Sequence, residues 1–143
     1  MSAEESKAVA HRLLELWNDG DFDAIEHLVA PDFVNHNPPP IPGVGPDRNG
    51  MLSAMRYLRE VLPDGRAESV NVVAEGDKVV LHDVIRGTHE GEFLGVPPTG
   101  RQVSFEFIHI FRIADGLIAE RWGIADAMGL MHQLGAMPAA VEA

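Results

Sequence analysis

The stretch His109-Ile-Phe-Arg-Ile-Ala-Asp-Gly-Leu-Ile-Ala-Glu-Arg-Trp-Gly-Ile-Ala-Asp126 reads as the end of a strand, a tight turn, a second strand and the start of a helix. Alternation sets the faces. Phe105, Phe107, His109 and Phe111 share one side of the first strand, while Glu106, Ile108, Ile110 and Arg112 share the other. Asp115-Gly116 supplies the left-handed pair that a two-residue hairpin requires. On the return strand Arg121 and Gly123 fall on one face, opposite Glu120 and Trp122. Asp126 is placed to cap a final helix over about 126–135, ending at Gly135.

Upstream the same period of two continues. Segments near 67–74, 78–88, 101–113 and 117–124 read as strands, with tight turns at Glu75-Gly-Asp77 and Ala114-Asp-Gly116 and a longer loop over Glu90–Gly100. Before residue 65 the spacing is helical. Ser2 and Glu5 fit a capping box, and Val9, Leu13, Leu16 and Trp17 follow it, with Asn18-Asp-Gly20 as a stop. Phe22, Ile25 and Leu28 mark a shorter helix stopped by Pro31, and Phe33–Asn37 a short extended piece. The run Pro38–Pro46 is a Pro/Gly loop. Met51, Met55, Leu58 and Leu62 give a third helix, closed by Pro63-Asp-Gly65. Helices first and an antiparallel meander afterwards make an α+β domain, a curved sheet packed on N-terminal helices around one concavity. Apolar Ile108 and Ile110 on the far side of that sheet suggest self-association.

Composition bounds the rest. The 143 residues suit a single domain over 1–143. There is no cysteine, so disulfides and thiolate chemistry are excluded. No signal-like N-terminus and no membrane-length apolar run is visible, so the expected location is the cytoplasm. A net charge of −11 argues against nucleic-acid and anionic-membrane partners.

Five segments carry a more specific signal: Pro31-Asp-Phe-Val-Asn35; Gly87-Thr-His-Glu-Gly-Glu-Phe-Leu-Gly-Val-Pro-Pro-Thr-Gly100; Ile108-His-Ile-Phe-Arg112; Asp115-Gly116; and Asp126 followed by Gly129-Leu-Met-His-Gln-Leu-Gly135. With these the chain resembles the SnoaL-like polyketide cyclases of the nuclear-transport-factor-2-like superfamily, over nearly its whole length. The resemblance implies a cone-shaped α+β fold. It implies an intramolecular aldol ring closure on a polyketide ester, with no metal and no organic cofactor. An aspartate serves there as general acid/base, and polar groups in an apolar pocket hold the enolate. By this likeness the pocket asparagine falls on Asn35 and the pocket histidine on His109, while the catalytic aspartate falls on Gly123 and a pocket glutamine on Phe107. Gly123 would then enlarge and neutralise the pocket, and an aspartate there would restore the carboxylate. The epoxide-hydrolase-like branch matches Asp83 but again misses at Gly123. The ketosteroid-isomerase-like branch would need its base near His36-Asn37-Pro38.

The candidate catalytic residues are therefore His109, Asp83 and Arg121, and the substrate-binding ones Asn35, Trp17, Met55, Phe105, Phe107 and Phe111. Asp83 shares a strand face with Leu81 and Ile85, and His82 takes the other; one strand cannot aim both inward, and Asp83 is preferred. Plainer readings stand beside each. His109 also fits a core histidine bonded to a backbone carbonyl, Asn35 a junction cap, Asp83 with Arg121 a cross-strand ion pair, and His36 with Asn37 a solvated loop mouth. Met51, Met55, Met128 and Met131 fit core or pocket lining. His82, Asp83 and His109 have no metal-ligand spacing, so no metal site is expected. The expected partners are a small apolar molecule and a second copy of the chain, as homodimer or homotetramer. Two functions follow: a cofactor-independent cyclase-type enzyme acting on an apolar polyketide or carbonyl compound, with His109 as acid/base helped by Asp83 or Arg121, or a non-catalytic binding or accessory protein. An epoxide-hydrolase- or isomerase-like enzyme on the same fold is a further alternative.

Overall fold

The computed structural model describes residues 2–136; residue 1 and residues 137–143 of the expected 1–143 domain lie outside the described residues. Four helices and five strands follow in order: α1 (Ala3–Asp19), α2 (Phe22–Leu28), β1 (Val29–Asn35), α3 (Arg48–Val61), β2 (Arg66–Glu75), β3 (Lys78–Thr88), β4 (Gln102–Ala114), β5 (Leu117–Ala125) and α4 (Ala127–Gln133). This is an α+β arrangement with the helices mostly before the sheet.

Local chemistry sets the element ends. Ser2 Oγ accepts from Glu5 N at 3.1 Å and starts α1; Gly20 stops it in the left-handed region at φ 70°. Asp47 caps α3 through Gly50 N at 2.8 Å, three residues earlier than the apolar spacing suggested. Asp126 caps α4 through Gly129 N at 2.9 Å. Asp115 (φ 53°) and Gly116 (φ 76°) are both left-handed, as the two-residue β4–β5 hairpin demands.

The sheet differs from an antiparallel meander in one respect. Its order is β1-β5-β4-β3-β2, and β1 runs parallel to β5 at the edge. The extended piece expected at 33–37 is thus a seven-residue strand that begins at Val29, and α2 ends at Leu28 rather than at Pro31. Proline is tolerated because an edge strand has one side free of ladder bonds, and the β1 register shifts between Val29 and Val34. The remaining pairs are antiparallel. Register shifts at Ser69/Asn71 and at Arg112/Ile113 add to the curvature.

The core lies between α1, α3 and the concave sheet face. Leu13, Leu16, Trp17, Met51, Leu52, Leu81, Ile85, Phe105 and Phe111 are buried in one cluster. Trp17 joins the helices: its indole N–H donates to Met55 O at 3.0 Å, and the Arg59 guanidinium lies 3.8 Å over its ring while donating to Trp17 O and Gly65 O. Among the described residues no helix is long and apolar enough to cross a membrane.

Candidate active site

The inward row of β4 makes one wall of a cavity. Phe105 and Phe107 have ring centroids 4.6 Å apart, Phe107 and His109 stack at 5.3 Å, and His109 and Phe111 stack at 5.1 Å. Phe93, from the loop after β3, meets the edge of Phe105. The opposite wall comes from Leu13, Leu14 and Trp17 of α1 and from Met55 and Leu58 of α3, and Pro38–Ile41 form the rim. The cavity volume is about 340 Å³, within the range of small-molecule sites. All nine candidate site residues named from the sequence line this cavity. They contribute unequally: Phe111 and Trp17 are fully buried floor, while Phe107 and Met55 are partly open to it.

Polar groups converge at one end. Antiparallel pairing sets Leu81 against His109 and His109 against Gly123, while Asp83 lies one pleat further along β3, opposite Phe107. His109 Nε2 is 3.0 Å from Asp83 Oδ1. The approach is off the line of the ring N–H, so Oδ1 is buried without a well-aligned donor, and the contact is electrostatic more than a directed hydrogen bond. On the other side of the ring, Arg121 Nε donates to His109 Nδ1 at 2.9 Å. A guanidinium only donates, so Nδ1 must carry the lone pair and Nε2 the proton; the neighbours assign the tautomer. Arg121 Nη1 donates to Asn35 Oδ1 at 3.1 Å and to Asn37 O at 3.3 Å. The first bond follows from the parallel edge pairing, which sets Asn35 beside Arg121. Asp83 is 1% exposed and Arg121 8%.

The charges follow from burial. Desolvation holds the His109 pKa below its usual value, against the opposing pull of Asp83, so the imidazole is neutral near pH 7. Desolvation also lowers the Arg121 pKa to about 10, with Asp83 partly restoring it; the guanidinium stays charged. The result is a carboxylate, a neutral imidazole and a guanidinium in series. His82 points to the other sheet face, 2.9 Å from Glu106.

Gly123 does not enlarge or neutralise the pocket as the sequence suggested. A Cβ at this position would lie 2.6 Å from Arg121 Nη2, 2.8 Å from its Cζ and 2.9 Å from Ile108 O. The space left by the absent side chain holds a cation.

Asn37 is a member of this cluster that the sequence reading left in solvent. Its Oδ1 accepts from Gly123 N at 3.0 Å, its backbone N donates to Asn35 Oδ1 at 3.0 Å, and its carbonyl accepts from Arg121. It pins the proline loop to β5. The Asn-x-Asn spacing of Asn35 and Asn37 directly before three prolines was the available signal, although Asn37 lies in the bend just after β1. His36 faces outward, stacked on Trp122 at 4.6 Å and 3.6 Å from Glu120.

Known proteins resemble this chain in sequence and in fold. The chain is 29% identical to nogalonic acid methyl ester cyclase of Streptomyces nogalater over 125 residues, 86% of this chain and 92% of the relative. It is 28% identical to the aklanonic acid methyl ester cyclase AcmA of Streptomyces galilaeus over 131 residues, 92% of this chain and 91% of that one. Among solved structures, TsrD from Streptomyces laurentii superposes with a TM-score of 0.84 at 32% identity, covering 96% of this chain and 99% of that one. IdmH from Streptomyces antibioticus superposes with a TM-score of 0.78 at 36% identity, covering 91% and 98%. The family model for SnoaL-like polyketide cyclases matches residues 7–134, and the chain belongs to that family.

Proposed function

We propose that the protein is a cyclase that closes a ring on an apolar polyketide or related carbonyl compound by intramolecular aldol addition, without metal or organic cofactor. The observation that carries this reading is the Asp83–His109–Arg121 series at the polar end of an otherwise apolar cavity. Burying charged groups costs stability even when they are paired, so keeping them at a cavity favours an enzyme over a passive binding protein. The two cyclase relatives cover nearly the whole chain and support the same class.

His109 Nδ1 is taken by Arg121 and Nε2 carries the proton, so the imidazole offers no lone pair and those at the cavity wall belong to Asp83. Asp83 takes a proton from the carbon between two carbonyls, and the C–H pair becomes an enolate. The enolate carbon attacks a second carbonyl of the same molecule and forms the new C–C bond. The resulting alkoxide recovers the proton from Asp83, which restores the base with no co-reactant. His109 is a positioning residue: its Nε2–H faces Asp83 and its Nδ1 is held by Arg121. The apolar walls exclude water and keep the enolate from random protonation. The working location is the cytoplasm, and the ligand is a small apolar molecule.

The test is ring closure on aklanonic acid methyl ester and nogalonic acid methyl ester, followed by chromatography of the product. The wild type should convert one of them. Asp83→Asn should lose about 10²–10⁴-fold, the typical worth of a placed acid/base. No conversion of either ester, or equal conversion by Asp83→Asn, overturns the reading.

A further inference from the structure

Among the described residues two that are not glycine have a left-handed backbone: Asp115 in the β4–β5 hairpin and Leu94 in the loop after β3. Asp115 suits its turn, and Leu94 does not. Leu94 (φ 45°) and Gly95 (φ 88°) form a two-residue turn closed by the mutual bonds of Phe93 and Val96 at 3.0 and 2.8 Å. Such a turn favours Asn, Asp or Gly at its first position, and a leucine there is strained. Strain of this kind persists where the side chain is needed for something else.

The place of Leu94 shows what that is. Leu94, Tyr57, Pro40 and Ile41 line both the apolar cavity and a second cleft outside it, between the proline loop and the turn. These four residues are therefore the partition between the cavity and the outside, and Leu94 is 38% exposed. The two sides of the partition are held differently. On one side the proline rings fix the backbone, and Asn37 ties the loop to β5. On the other, only the base of the loop is locked. The fully buried His89 donates from its backbone N to Arg101 O at 2.9 Å and accepts from Thr99 N on Nδ1 at 3.1 Å, and Glu90 N and Gly91 N both donate to Val61 O. Phe93 is buried against the edge of Phe105. Beyond Phe93, the Leu94–Gly95 tip has one hydrogen bond to the rest of the fold among the described residues: Leu94 N donates to Tyr57 Oη at 2.8 Å.

We infer that Leu94 is the specificity-determining gate of the cavity, and that the Tyr57 hydroxyl is the latch that holds it across the entrance. The inference rests on the reading of the cavity as the ligand site and needs nothing from the ring closure. A fixed base with a strained tip on one bond opens locally without unfolding the loop. The ligands it selects are apolar fused-ring carbonyl compounds, since the partition is apolar apart from the phenol. Wider compounds require the tip to swing away, and narrower ones pass with less displacement. The latch sits on α3, away from Asp83 and His109, so it acts on entry and exit and leaves the chemistry alone.

The probes are menadione, with two fused rings, and 9,10-anthraquinone, with three. Both are neutral carbonyl compounds that quench tryptophan fluorescence, and Trp17 lies on the cavity floor. Stopped-flow mixing with the purified full chain gives the association rate from the slope of the observed rate against probe concentration, and the dissociation rate from its intercept. Tyr57→Phe keeps the ring and removes the bond to Leu94 N. It should raise both rates for anthraquinone by about 3–10-fold, the factor that one ordinary hydrogen bond represents, with Kd nearly unchanged. A loss of packing alone would instead raise dissociation and Kd together. Leu94→Gly keeps the backbone bond, accepts the left-handed φ without strain and empties the entrance. It should speed association of anthraquinone more than that of menadione, and it decides the matter alone if Tyr57→Phe does not fold by circular dichroism. Unchanged association in either folded variant overturns the gate, as does an equal gain for the two probes in Leu94→Gly. Gated entry in a protein that closes no ring leaves the gate and removes the cyclase, and ring closure with ungated entry does the reverse.

Discussion

Arg121 stands in the place of the side chain that Gly123 lacks. The two share one face of β5, and the guanidinium Nη2 is 2.6 Å from the Cβ position of residue 123. Any larger residue must push the guanidinium off His109, Asn35 and Asn37, or strain against Ile108 O.

Gly123→Ala should therefore destabilise the fold by about 1–3 kcal/mol, the usual cost of inserting an atom into a packed site. Urea unfolding measures it. Gly123→Asp should lower turnover and not raise it, because the new carboxylate lands on the guanidinium and draws it away from His109. A variant as stable as wild type, with more activity, would show that the pocket relaxes around residue 123.

Acid should weaken the protein through His109. Burial holds its folded pKa below the unfolded value of about 6.5. Above that unfolded value the imidazole is neutral in both states, and its contribution is fully present. As pH falls, the unfolded chain takes up a proton that the folded chain refuses, and stability is lost down through the folded pKa. The denaturant midpoint should fall between pH 7.5 and pH 5, and less steeply in His109→Asn than in wild type. Parallel slopes for the two proteins would place the acid sensitivity elsewhere.

The strand faces were legible because alternation is a local property. Phe105, Phe107, His109 and Phe111 point inward whatever else the chain does, and the Asp115-Gly116 turn fixes how β5 returns. The choice of Asp83 over His82 follows from the same parity. The parallel edge was not legible, because β1 pairs with β5 across more than 80 residues, and Pro31 within the strand argues locally against it. With that edge unseen, the contact between Asn35 and Arg121 was unseen too. Nor can a sequence show that a long side chain folds back over a glycine two residues on. That required coordinates for Arg121.

Asn37 should couple the proline loop to the site. Asn37→Ala removes the acceptor of Gly123 N and leaves the other bonds of its backbone in place. The bond is exposed, so the loss of stability should be about 1 kcal/mol or less. The effect on substrate handling should be larger, since Pro38–Ile41 form the cavity rim. The expected outcome is a raised KM with kcat less affected. A fall in kcat alone, at constant KM, would instead place Asn37 in the chemical step.

The outer sheet face should join two copies of the chain. Ile108 is 44% exposed, Ile110 36% and Ile124 72%, and they continue across the strands through Val80 and Val73. Such a connected apolar face is an association site or a liability. A second copy is the occupant that its rim fits. Arg112 with Glu120, His82 with Glu106, and Lys78 over Trp122 put both signs around the patch, so a twofold axis can set each against its opposite. The chain as a whole carries −11, which opposes pairing at long range. Association should therefore strengthen as salt screens that repulsion, the reverse of an interface held by ion pairs alone. Light scattering at micromolar concentration should give twice the chain mass or a multiple of it, and the Ile108→Lys, Ile110→Lys double variant should be monomeric with an unchanged circular dichroism spectrum. A wild-type monomer across 50–500 mM salt would sink the interface.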